Sequence, residues 1–172
     1  LTFLFYGPSG TGKTQLAYEL ARSCGRKVFL VNSSCIRDKF VGESEKNVAQ
    51  IFSDYKRLCQ ETDRTPILLL NESDSLISKR MQLNGATDQM NNSMQNILLQ
   101  KLEDFDGILI ATTNLTRNLD KAFERRFLVK LRIGKPNREA RLKMLRDNLP
   151  EVETKTLHRV AAGFGLTGGQ IE

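Results

Sequence analysis

Lys13 and Thr14 close the octapeptide Gly7-Pro8-Ser9-Gly10-Thr11-Gly12-Lys13-Thr14, which fits the phosphate-binding pattern G-x-x-x-x-G-K-[ST] in full. Its three glycines let the backbone curl until successive N–H groups point into one concavity, and a helix opening behind them adds the positive end of its dipole. In such a loop Lys13 meets the β- and γ-phosphates of a nucleotide and Thr14 offers a hydroxyl to Mg²⁺. The plainer alternative is a glycine-rich turn. What favours phosphate is position, because Thr2–Tyr6 before the loop reads as a strand and Gln15–Ser23 after it as a helix. A second chemical element lies further on, where the apolar run Ile67–Leu70 ends in Asn71-Glu72. Ligands bind at strand ends in open parallel sheets, and a carboxylate there can orient and deprotonate an attacking water.

The elements that must hold these residues follow from periodicity. Lys27–Val31 reads as a second strand. Ser44–Glu61 reads as a long helix, with Val48, Ile51, Phe52, Tyr55, Leu58 and Cys59 at helical spacing. Pro66 introduces Ile67-Leu68-Leu69-Leu70, an uninterrupted apolar run suited to a strand buried on both faces. The stretch 85–95 is polar and amide-rich; beyond it Ile97, Leu98, Leu102 and Phe105 give a helix an apolar side. Ile108–Ala111 and Leu128–Ile133 are the fourth and fifth strands. Alternating strands and helices predict a doubly wound α/β architecture, an αβα sandwich around a five-stranded parallel sheet. Its expected extent is residues 1–135. Past Gly134-Lys135-Pro136-Asn137 the sequence is all helical: Arg138–Asn148, Thr154–Ala162, and a third helix opening near Gly168. Residues 136–172 therefore read as a small helical subdomain that is cut short.

Bulk properties bound the rest. At 172 residues the chain suffices for one domain with a real core and a small appendage. With 40% hydrophobic and 27% charged residues it is ordinary for a soluble protein, and no apolar run approaches membrane-spanning length. Leu1–Tyr6 reads as a core strand and not a signal peptide. Cys24, Cys35 and Cys59 form no C-x-x-C pair, which argues against a disulfide framework or zinc site and for a cytoplasmic protein. The net charge of +6 would suit nucleic acid, but the basic residues are scattered among acids, as in Arg37-Asp38-Lys39, which favours a solvated surface.

With Gly7–Thr14 and Asn71-Glu72 in order, the sequence resembles the AAA+ ATPases, and among them the classical AAA branch, along essentially the whole chain. Leu68–Ile77 resembles that branch's Walker B segment, Ala111-Thr112-Thr113-Asn114 its sensor 1, and Leu119–Phe127 its arginine-finger segment. The resemblance implies ATP and ADP as ligands, with Mg²⁺ held by Thr14 and Asn71. It makes Glu72 the catalytic glutamate and Asn114 the sensor that positions water. Arg125 and Arg126 become the pair presented to a neighbouring subunit's γ-phosphate, so hydrolysis would require assembly, with a hexameric ring the family expectation. Taken alone, Arg125-Arg126 is a surface pair and Asn114 a strand-end turn residue. Phe40-Val41-Gly42, ahead of Glu43–Lys46, resembles the pore loop that grips an extended polypeptide; its alternative is Phe40 packed back on Ile36. The implied strand order is 5-1-4-3-2, with nucleotide between sandwich and helical subdomain.

The sequence departs from the family at Asn71, where an aspartate is usual: asparagine keeps an acceptor oxygen but loses the charge, and its NH₂ donates. Gly168-Gly169 occupies the place of a sensor 2 arginine, and small residues there would let the helix start approach the nucleotide. Phe164 stands where relatives often have a histidine near base and ribose, and His158, the sole histidine, reads as a surface residue. Three functions stay open. The first is an ATP-driven motor that remodels or translocates protein. The second is an ATP-gated oligomeric scaffold with weak or no hydrolysis, and the third is a DNA-directed AAA+ ATPase.

Overall fold

The computed structural model describes residues 1–33, 36, 43–78, 86–115 and 119–172, of which 43–45 and 86–91 are described by backbone alone. Five strands, β1 (Thr2–Tyr6), β2 (Val28–Asn32), β3 (Ile67–Asn71), β4 (Ile108–Thr113) and β5 (Val129–Arg132), pair in parallel in the order β2-β3-β4-β1-β5. Read from the other edge this is 5-1-4-3-2. The register sets Asn32 beside Asn71 and Tyr6 beside Thr113, so polar strand ends gather along one rim of the sheet.

The apolar run in β3 explains how the sheet is clad. Side chains alternate across a strand, so Leu68 and Leu70 face one side and Ile67 and Leu69 the other. On the first side they join Leu4, Leu109 and Ala111 under α2 (Glu43–Gln60) and α4 (Ala86–Glu103), which contribute Val48, Tyr55, Met94, Leu98 and Leu102. On the second they meet Phe5, Ile110 and the small residues Ala17 and Ala21 of α1 (Lys13–Ser23). Tyr55 fastens α2 to the entrance of two strands: its hydroxyl donates to Pro66 O at 2.9 Å and accepts from Ile108 N at 3.2 Å. Burial pushes the Tyr55 phenol up to about 12. A side chain at Gly107 would strike that hydroxyl, with a Cβ only 2.4 Å away.

Several elements run further than the sequence pattern indicated. Helix α4 takes in most of the amide-rich stretch, because Met94 and Gln95 are buried and the Gln95 amide donates to Ser78 O at 3.0 Å. A single turn, α3 (Asp74–Ile77), follows β3, and α5 (Lys121–Arg126) is started by Asp120, whose carboxylate accepts from Ala122 N at 2.7 Å. Strand β4 extends to Thr113.

Beyond the sheet, α6 (Arg138–Asn148) and α7 (Thr154–Gly163) close over a separate small core of Leu145, Leu157, Ala161 and Ile171. The Arg141 guanidinium binds Ala161 O and Pro136 O, tying both helices to the incoming chain. The expected third helix is a short 3₁₀ turn at Gly168–Gln170. No helix among the described residues is long and apolar enough to cross a membrane.

Candidate nucleotide site

The loop leaving β1 is built on glycines. Gly7 donates its N–H to Thr113 O at 3.2 Å, and a Cβ there would lie 2.0 Å from Ile133 O. Gly10 and Gly12 have φ of 71° and 83°, the left-handed region that side chains disfavour, and Gly12 is the N-cap of α1. The open N–H groups of that cap, with the helix dipole behind them, face the loop's concavity. Lys13 is buried, and its ammonium donates to Gly7 O at 3.0 Å and Pro8 O at 2.7 Å. Burial holds it below the ordinary lysine value, while the Asp74 carboxylate pulls the other way. An ammonium so desolvated gains from an anion placed beside it.

The rim opposite this loop is polar and tightly connected. Asn71 Oδ1 accepts from Thr14 Oγ1 at 2.7 Å and from Thr112 Oγ1 at 2.9 Å, while its NH₂ donates to Asn32 Oδ1 at 3.3 Å. Glu72 adopts a φ of 55°, unusual for a residue with a side chain. Its backbone is pinned from two sides: the N–H donates to Thr112 Oγ1 at 3.1 Å and its carbonyl accepts from Ser33 Oγ. The Glu72 side chain makes no hydrogen bond or ion pair among the described residues. Asn114 is held by Asp74, whose carboxylate accepts from its backbone N–H at 2.8 Å, from its side-chain NH₂ at 3.3 Å and from the Thr113 hydroxyl.

One cavity joins these groups, lined by Ser9–Gln15, Glu72, Thr112, Thr113 and Asn114. Of the residues singled out in the sequence, it brings together most of the loop, Glu72 and Asn114, with Asn71 one hydrogen bond away through Thr14. Gly168 and Gly169 reach the site by another route. Gly169 N donates to Gly10 O at 3.0 Å, and its missing Cβ would lie 3.3 Å from Gly10 Cα. The small residues thus let the 3₁₀ turn seat directly on the loop.

Arg125 and Arg126 do not line the cavity, and the fold treats them unequally. Arg126 is half-buried and forms an ion pair with Glu103 of its own chain. Arg125 is exposed, with no such partner among the described residues. Phe164 is exposed at the end of α7, and His158 is half-buried, its ring nitrogen 3.3 Å from the Arg146 guanidinium. Phe40, Val41 and Gly42 lie outside the described residues. Cys24 and Cys59 are free thiols, and Cys35 is likewise outside the described residues.

Sequence reasoning missed Asn32 and Ser33, and took in Asp74, Thr112 and Thr113 only as members of the Leu68–Ile77 and Ala111–Asn114 segments, without a role for each. Asp74 and the two threonines carry a signal, being polar residues directly at or after an apolar strand. Asn32 becomes visible only with the β2–β3 register.

A five-stranded parallel sheet with a phosphate-binding loop after its first strand and polar residues at the adjoining strand ends defines a P-loop nucleoside triphosphatase fold. Within that class, residues 3–135 match the family described as ATPase family associated with various cellular activities (AAA). The chain belongs to that family and binds ATP and ADP as its members do. It is 36% identical to Vacuolar protein sorting-associated protein 4 of Dictyostelium discoideum over 94% of its own length and 37% of the relative's. It is 32% identical to Cell division protein C of Sulfolobus acidocaldarius, over 83% of this chain and 39% of that one. Fidgetin-like protein 1 of Drosophila melanogaster is 33% identical, the match covering 87% of this chain and 28% of that protein. The chain thus spans between 28% and 39% of the length of these curated relatives.

Proposed function

We propose that this chain is the ATP-hydrolysing module of a ring-forming AAA protein that remodels or translocates polypeptide. The observation that carries the reading is the single cavity into which Lys13, Thr14, Glu72 and Asn114 all open. In it the loop amides and Lys13 bind the phosphates, and Asn114, fixed by Asp74, and Glu72, fixed through its backbone, flank the attacking water. The Glu72 carboxylate, unpartnered among the described residues, takes a proton from the water as the water oxygen bonds to the γ-phosphorus and the bond to the bridging β-phosphate oxygen breaks, releasing ADP. The donor set of one hydroxyl and one amide oxygen suits Mg²⁺, a hard cation that keeps several waters and takes phosphate oxygens, better than a metal needing an all-protein cage. Thr14 and Asn71 would hold it, and it would neutralise charge developing on the phosphates.

Arg125 completes the site of a second copy, a reading supported by its exposure and its absence from the lining of its own cavity. Residues 1–135 and 136–172 would act as two bodies, with ATP between them and Phe40, Val41 and Gly42 facing the polypeptide in the ring. A cytosolic setting fits the free thiols. The neutral Asn71 favours a second reading, a nucleotide-gated scaffold with slow turnover. Turnover of the full-length protein measured over a concentration series separates them. The motor reading expects specific activity to rise with assembly and to fall roughly 10³-fold or more in Arg125→Ala; a fully assembled wild-type sample without turnover supports the scaffold.

A further inference from the structure

A carboxylate offers an acceptor oxygen whichever way it rotates, but an amide does so in one orientation only. With asparagine at position 71, something must therefore keep its oxygen toward Thr14. The rim supplies that constraint from two directions. Thr112 Oγ1 accepts from Glu72 N and donates its hydroxyl proton to Asn71 Oδ1. Behind, the parallel register of β2 and β3 sets Asn32 directly beside Asn71, where Asn32 Oδ1 accepts from the NH₂. A reversed amide would break the bonds that the Thr14 and Thr112 hydroxyls donate to Asn71 Oδ1, and would set its oxygen against Asn32 Oδ1, a second acceptor.

We infer that Asn32 is a positioning residue for the metal side of the site: it holds the neutral Asn71 with its carbonyl forward, so that asparagine presents the oxygen a carboxylate would. Asn32 lines no part of the nucleotide cavity and acts only through Asn71. The inference rests on the ATPase reading.

The test is the affinity of the full-length protein for a fluorescent ATP analogue, measured in Mg²⁺ and in EDTA, so that the ratio gives the gain due to metal. Asn32→Ala should cut that gain roughly two- to tenfold, the range for one lost hydrogen bond, with metal-free affinity unchanged. Asn32 is exposed, so its truncation spares the core. Asn32→Asp, which keeps an acceptor for the NH₂, should retain the gain. In an Asn71→Asp background Asn32→Ala should have no effect, because either carboxylate oxygen can face Thr14. An unchanged gain in Asn32→Ala alone, or an equal loss in both backgrounds, overturns the inference. Wild-type protein that binds the analogue in neither buffer overturns the ATPase reading itself.

Discussion

At the scale of single residues, the site separates binding from bond-breaking. In the proposed reading Lys13 and the loop amides hold charge, whereas the Glu72 side chain makes no hydrogen bond or ion pair among the described residues. Glu72→Gln should therefore leave ATP affinity within about twofold and lower turnover by roughly 10²–10⁴, the usual worth of a general base; parallel binding and steady-state assays check this. Equal losses in both would mean that Glu72 is structural. Most residues around the cavity were legible in the sequence, because Gly7–Thr14 is a contiguous motif and Glu72 directly follows an apolar strand. Asn32 and Ser33 were not, since their meaning comes from a neighbouring strand. The unequal fates of Arg125 and Arg126 were also hidden: Glu103, which pairs with Arg126, lies on a different helix.

At the scale of elements, strand β1, its loop and β5 form one tight unit. Gly7→Ala would drive a methyl into the Ile133 carbonyl, and we expect it to destabilise the fold by roughly 1–3 kcal/mol or more and to impair nucleotide binding, as read from thermal melting and titration. Tyr55 gives a pH signature. Its phenol, normally near 10, is pushed up to about 12 in the fold. The folded state thus holds that proton more tightly than the unfolded chain, so the Tyr55 contribution is intact below pH 10 and is lost as pH rises toward 12. Tyr55→Phe should lower stability by about 1–3 kcal/mol at neutral pH, leaving Ile108 N and Pro66 O without that partner, and should flatten the alkaline decline. Denaturant melts from about pH 7 to 12 would show both. The sequence located the five strands and α1, α2, α6 and α7 within about two residues, whereas α5 was not read as a helix. Helix α4 runs through amide-rich residues because Met94 is buried in the core under the sheet and Gln95 is buried with its amide on Ser78 O, and α3 is too short for any periodicity to reveal.

At the scale of the whole molecule, the central claim is that one copy binds the triphosphate and another supplies the guanidinium that lets it break. The most direct measurement mixes two inactive full-length variants. Glu72→Gln lacks the base but keeps Arg125, and Arg125→Ala lacks the arginine but keeps Glu72. Each alone should be nearly silent. Combined in equal amounts, they should recover a substantial part of wild-type ATPase activity, because mixed rings contain interfaces with an intact Glu72 on one side and an intact Arg125 on the other. Recovery that saturates with total protein concentration is the predicted result; a mixture no more active than the sum of its parts, or an Arg125→Ala protein that is active alone, would contradict it.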